Sequence, residues 1–170
     1  MDNTLWQELV EQLYDPIFRF AVHMLGSYED AEDVTQQSFL KAFHSVHQLD
    51  DPTKAKAWLY AIARNQCHDH LRSLKRFFSL RALLPQERCI EMLSPIGHEL
   101  LRAIGSLPRM QREVFLLREW HDFSTVETAQ LLGIAEGSVK SHLHRAKSAL
   151  RQCLGEQNAE SPANLDEEED

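Results

Sequence analysis

The sequence predicts an all-α protein made of two helical domains joined by a flexible linker, the C-terminal one a helix-turn-helix. Three observations lead there. Apolar residues recur at spacings of three and four along most of the chain. No period-two alternation of useful length occurs. Only six Gly and six Pro punctuate 170 residues. The helical pattern degrades once, from Lys75 to about Gly97, where Pro85, Pro95 and Gly97 interrupt a mixture of basic and apolar residues. That break divides the chain into a first lobe (1–75), a linker (76–97), a second lobe (98–155) and a tail (156–170). The linker carries Phe77-Phe78 and Leu83-Leu84, more apolar surface than a free spacer needs, so it is expected to lie on the chain or on a partner.

The first segment places Leu5, Leu9, Leu13, Ile17, Phe20 and Met24 on one helical face, with Asp15-Pro16 expected to kink or divide it. Gly26-Ser27 ends it. Ser27 can cap a second helix whose first turn is acidic (Glu29, Asp30, Glu32, Asp33), as the helix dipole favours. Ala31, Val34, Ser38 and Ala42 form its inner face, which Phe39 and Phe43 are expected to widen. Asp50-Asp51-Pro52 is a turn. Thr53 or a neighbour opens a third helix with Leu59, Ala63, Cys67, Leu71 and Leu74 in register. Its opposite face shows Arg64, Asn65, His68, Asp69, Arg72, Lys75 and Arg76.

Composition narrows the class of function. With 43% hydrophobic and 26% charged residues the chain has a soluble globular balance, and no apolar run approaches the ~20 residues of a membrane span. Met1-Asp2-Asn3 lacks the basic and apolar regions of a secretory signal, so a cytoplasmic protein is expected. Cys67, Cys89 and Cys153 are odd in number and unpaired by spacing, which predicts free thiols. The net charge of −8 looks wrong for a nucleic-acid binder until it is divided. The tail carries −7, leaving the remainder at −1. Within that remainder, Glu136 to Gln152 holds Lys140, Arg145, Lys147 and Arg151 against one acid, a local basic face able to steer phosphates. The acidic tail itself is expected to be disordered and solvated.

Residues 124–151, STVETAQLLGIAEGSVKSHLHRAKSALR, read as helix, glycine turn, helix. Ser124 or Thr125 can cap the first helix, and Val126, Ala129 and Leu132 are expected to face inward. Gly133 permits a left-handed turn, and Ile134 plugs the angle between the helices. In the second helix Val139, Leu143, Ala146 and Leu150 form the buried stripe, leaving Ser138, Lys140, Ser141, His142, Arg145 and Lys147 outward. All six are hydrogen-bond donors. A helix so furnished near its N-terminus can enter the major groove of DNA.

Three blocks in this order resemble RNA polymerase sigma factors of the extracytoplasmic-function group of the sigma-70 family. DAEDVTQQSFLKAF (30–43) resembles region 2.2, AWLYAIARNQCHDHLRSLKR (57–76) resembles regions 2.3 and 2.4, and LPRMQREVFLLREWHDFSTVETAQLLGIAEGSVKSHLHRAKSAL (107–150) resembles region 4. The resemblance spans about Leu9 to Leu154. It implies a subunit of bacterial RNA polymerase that directs promoter recognition, melting and initiation and has no catalytic centre, cofactor or metal of its own. Its partners would be core RNA polymerase, promoter DNA and an anti-sigma factor.

Residue by residue, the resemblance implies that Asp33, Gln36, Gln37 and Phe39 meet core polymerase, Gln37 standing where the family commonly has an acid. Lys54, Lys56, Arg64, Asn65, His68, Asp69 and Arg72 would contact the opened −10 element. Ser138, Lys140, Ser141, His142, Arg145 and Lys147 would serve the −35 element, with His142 where a stronger base often stands. Trp58, beside the buried stripe, is expected to be a core anchor rather than a DNA contact.

Two other classes of function fit the sequence less well. A helix-turn-helix regulator that never binds polymerase keeps the 124–151 window but leaves 30–43 without a purpose. An enzyme finds no nucleophile with a base, no carboxylate pair and no phosphate loop. Cys67, His68, His70, His44 and His47 lack a paired zinc spacing, and Cys67 falls on the apolar stripe.

Overall fold

The computed structural model describes residues 3–49, 51–80 and 95–159, with the side chains of 6–47, 49, 51–76 and 99–155. The chain runs α1 (Asn3–Leu25), α2 (Tyr28–Ser45), α3 (Ala55–Leu80), α4 (Pro95–Ser106), α5 (Arg109–Phe115), α6 (Thr125–Leu132) and α7 (Glu136–Ala159). Short 3-10 turns cover Val46–Gln48 and Pro52–Lys54, and a π turn over Leu116–Trp120 extends α5. The described residues contain no strand. Most of the predicted linker and most of the acidic tail lie outside the described residues, as does Cys89.

The first lobe packs α1, α2 and α3 against one another. α1 does not divide at Asp15-Pro16; it is one helix through Pro16. A proline removes one N–H and strains the preceding turn, but the apolar stripe stays in register across it, with Leu9 before and Ile17, Phe20 and Met24 after, all buried. That packing outweighs the local cost. Gly26, at φ +72°, ends α1 in the left-handed conformation, and Ser27 caps α2 by accepting from the Asp30 amide at 3.2 Å. Thr35 and Ser38 are buried on the inner face of α2 because each hydroxyl donates to the carbonyl four residues back, at 2.7 and 2.6 Å. Asp51 accepts from the Thr53 amide and hydroxyl, fixing the turn that launches α3.

The second lobe packs α4, α5 and α6 around α7. Ser124 is the cap of α6 and forms a full capping box with Glu127. Gly133 ends α6 at φ +67°, and the Ile134 amide reaches back to the Ala129 carbonyl at 3.0 Å. Val126 does not face inward. It is 47% exposed, and the inner face of this helix is Thr128, Ala129 and Leu132. The cap sets the helical phase, which turns the second residue of α6 outward.

The lobes meet. One continuous buried cluster runs from α1 through α3 into α5 and α6. At the seam Phe20 of α1 meets His121 edge-on and Tyr60 of α3 meets it at a tilt, Tyr60 also meets Phe123, and His23 of α1 lies 4.0 Å from the Trp120 ring. The π turn supplies this geometry. The His121 amide bonds the Leu116 carbonyl five residues back, and the widened turn delivers Trp120 and His121 together onto the first lobe.

Candidate functional site

Three surfaces hold the residues singled out in the sequence. On α2, Asp33, Gln36 and Gln37 are exposed, while Phe39 is buried against Trp6 and Tyr14. Phe43, expected to widen the inner face, is instead 55% exposed, and Leu40 is 60% exposed. These two, with Trp6, Val10, Tyr14, Gln36 and Phe39, line an open apolar groove of about 500 Å³ between α1 and α2. Leu40 was missed in the sequence, yet a signal was present. It is a large apolar residue one position off the inner stripe and three before Phe43, on the same side of the helix.

α3 presents two faces rather than one basic face. Asn65, Asp69 and Arg72 point to solvent, with Arg72 and Asp69 paired at 2.8 Å. Arg64 and His68, one turn apart, point into the second lobe and converge on Glu113 of α5. Arg64 Nε donates to Oε2 and His68 Nε2 to Oε1, both at 2.6 Å. Their side chains are only 17% and 10% exposed, and that of Glu113 is fully buried. Burial alone would push the Glu113 carboxyl up, but the hydrogen bonds from His68 and Arg64 hold it below its usual range. Glu113 was not a sequence candidate. Its signal was a carboxylate spaced with Met110 and Leu117 on the apolar side of a helix.

The turn before α3 adds Lys54, exposed beside Asp51 at 3.6 Å. Lys56 crosses the seam to the His121 carbonyl at 2.7 Å and lies over the Phe123 ring. Trp58 is half-buried, packed on the core, and also lines an interlobe groove of about 510 Å³ with Leu49, Lys54, Phe123 and Leu131. The Cys67 thiol is fully buried, and burial pushes it up to about 12. His44 bonds the Leu40 carbonyl and His70 pairs with Asp30, so these histidines and His68 each face a different partner.

On α7, Lys140, Ser141 and Arg145 are exposed, and Ser138 and His142 are half-buried. The Ser141 hydroxyl donates to the Gly137 carbonyl at 2.9 Å. Lys147 is drawn to Glu119 at 2.8 Å, which leaves Lys140 and Arg145 as the freer cations among the six candidates. The helix therefore offers donors on one side and Val139, Ala146 and Leu150 on the other, as its spacing predicts.

Comparison with known proteins gives the family. Residues 9–77 match Sigma-70 region 2 and residues 97–150 match Sigma-70, region 4. The chain is 35% identical over 160 residues to the ECF RNA polymerase sigma factor SigL of Mycobacterium tuberculosis, covering 87% of this chain and 90% of that protein. It is 28% identical over 171 residues to the ECF RNA polymerase sigma factor SigW of Bacillus subtilis, covering 90% of each. Among solved structures, the fold resembles the sigma factor RpoE crystallised with the anti-sigma factor NepR from Bartonella quintana. That likeness has a TM-score of 0.76 and 24% identity over 88% of this chain and 96% of that one. It also resembles CnrH in complex with the cytosolic domain of CnrY, with a TM-score of 0.67 and 24% identity over 92% and 89%. Two helical lobes, a helix-turn-helix in the second, and both sigma regions in chain order make this chain an ECF sigma factor of the sigma-70 family, a non-enzymatic factor that directs RNA polymerase to promoters.

Proposed function

We propose that the three surfaces divide the work of initiation. The observation that carries this reading is the exposed pair Leu40 and Phe43 beside Asp33, Gln36 and Gln37. An apolar centre with a polar rim is the composition of a protein-docking face, here for core polymerase. Phe39 supports it from below by filling the space under Trp6 and Tyr14.

The turn before α3 and α3 itself, through Lys54, Lys56, Arg64, Asn65, His68, Asp69 and Arg72, take the separated strand of the −10 element. Melting is driven by capturing bases and phosphates that the duplex otherwise retains. α7 enters the major groove at the −35 element, with Lys140, Ser141, His142 and Arg145 near base edges and Ser138 and Lys147 on phosphates. The functional units are residues 1–75 and 98–155. An anti-sigma protein restrains the factor in the cytoplasm; support comes from the similar fold of the sigma factor RpoE, solved with the anti-sigma factor NepR. No helix among the described residues is long and apolar enough to cross a membrane.

Run-off transcription with purified core polymerase over a promoter library tests the reading. Protein-dependent starts that share two spaced elements are the expected result. Folded protein that fails to bind core and yields no transcript supports instead a DNA-binding regulator independent of polymerase.

A further inference from the structure

We propose that residues 160–170, which follow α7 in the chain, turn back onto the second lobe and seat Leu165 in the apolar groove between α4, α5 and α7, with the acids after Leu165 against Arg151 and Lys147. The inference goes beyond the three surfaces described above. It gives a fourth surface an occupant from the chain itself.

The groove has a volume of about 440 Å³. Leu100 of α4, Phe115 of α5 and Leu150 and Leu154 of α7 form its floor, and Lys147 and Arg151 stand at its rim. Phe115 and Leu150 are buried, whereas Leu100 and Leu154 are only half-buried and still offer apolar surface to an occupant. The rim selects for negative charge. Lys147 is already paired with Glu119 at 2.8 Å, so the exposed Arg151 is the cation that an incoming carboxylate meets first.

Residues 160–170, ESPANLDEEED, lie outside the described residues and carry the complement of this groove. Leu165 is their one large apolar residue, and Asp166, Glu167, Glu168, Glu169 and Asp170 follow it directly. Composition by itself predicts a solvated tail, but the groove opens on the helix from which the tail departs. Arg151 lies about 12 Å and Lys147 about 18 Å back along α7 from Ala159. An extended chain from Glu160 to Leu165 spans up to about 20 Å, so Leu165 reaches the floor and the acids reach both cations. Ser161-Pro162-Ala163-Asn164 supplies the residue types of a chain reversal.

Tethering favours this occupant over a separate protein. A short tether holds its segment at an effective concentration on the order of millimolar, enough to seat an anchor too weak to bind from solution. The seated tail covers the groove, so any helix docking there has to displace it, and it brings negative charge to the helix that carries Lys140 and Arg145.

The test uses full chains and two readouts. A glutamate-specific protease reads exposure of Glu167, Glu168 and Glu169, and nuclear magnetic resonance reads Leu100, Phe115, Leu150 and Leu154. Leu165→Ser and Arg151→Glu are each expected to speed cleavage of the tail by about tenfold, the gain of a tail always free over one free about a tenth of the time. Leu165→Ser should also shift the resonances of the four floor residues. Arg102→Glu makes the same charge change at an exposed position of α4 that does not line the groove, and it should leave the rate within about twofold of wild type.

A wild-type tail cleaved as fast as that of Leu165→Ser overturns the proposal, as do floor resonances that Leu165→Ser leaves unmoved. Equal acceleration by Arg102→Glu and Arg151→Glu overturns it too, because general charge and not the groove would then hold the tail. Protection that grows with protein concentration would put the tail of a second copy in the groove and rule out the intramolecular seat. Leu165→Ser lies outside both helical lobes, so its result stands even if Arg151→Glu disturbs the end of α7.

Discussion

Tyr60 and His121 lie 61 residues apart in the chain, and the Tyr60 hydroxyl sits 2.8 Å from His121 Nδ1 in a buried seam between the two lobes. Burial pushes the His121 imidazole down to about 3, helped by the nearby charges of His23, Lys56 and Arg19. The imidazole is therefore neutral at ordinary pH and shares this hydrogen bond with the phenol. The Tyr60 phenol is itself pushed up by burial, which keeps its proton in place.

The pH dependence of stability follows from this pair and from His23, which burial lowers to about 4. Both histidines bind a proton in the unfolded chain below about pH 6.5 and resist it in the folded chain. Their contribution is present in full above that pH and is lost as pH falls from about 6.5 toward 4 and then 3. Each adds a slope of up to about 1.4 kcal/mol per pH unit in its window. Thermal melts between pH 7.5 and 4.5 should show a falling midpoint, flattened in a His23→Gln, His121→Asn double variant. A wild-type midpoint that does not move between pH 7 and 5 contradicts this.

Leu40→Ser and Phe43→Ser should separate docking from folding. Both side chains are more than half exposed, so stability should change by only about 0.5 kcal/mol. Binding to core polymerase should weaken by about tenfold or more, as for an anchor at the centre of an interface. Phe39→Ser, at a buried position, should instead lower the melting temperature. Equal core affinity for wild type and both surface variants would remove this face from the interface.

On α7 the exposed cations should differ in kind. If Arg145 reads a base edge, Arg145→Ala costs about 1–3 kcal/mol at one base pair of the −35 element and little elsewhere. Lys140→Ala, if it meets phosphate, weakens all duplexes alike and lowers the salt slope by about one. Titrations of matched and mismatched duplexes at two salt concentrations tell them apart. Neither variant should shift the melting temperature, because both side chains are exposed.

Gly133→Ala tests the turn of the helix-turn-helix. A Cβ there meets nothing within 4 Å, so its cost comes from the left-handed backbone at φ +67° alone. A loss of about 1 kcal/mol is expected, with Gly133→Asn losing less. Denaturant unfolding of the full chain measures it; a stabilised alanine variant would mean that the turn relaxes out of this conformation.

How much was legible in the sequence depends on the range of the interaction. Helix spans, the Ser27 and Ser124 caps, the Gly133 turn and the donor side of α7 are local, set by spacing and by bonds within one turn or so of the residue concerned. The three sigma-like blocks could also be read directly, because each lies on contiguous elements. Periodicity does not tell which apolar residue stays uncovered, so Phe43 was placed inward and Leu40 went unnoticed. It also marks a proline as a kink or a break without knowing what packs on either side, whereas α1 runs through Pro16 as one helix.

The amino-acid order alone determined the helices, the two lobes and the family. The tertiary structure decided that α3 has two faces, and that Arg64 and His68 serve Glu113 while Asn65, Asp69 and Arg72 face solvent. The reason is physical. Glu113 is 49 residues from Arg64 and 45 from His68, and a charge can be buried among apolar neighbours only where folding brings its counter-charges to it.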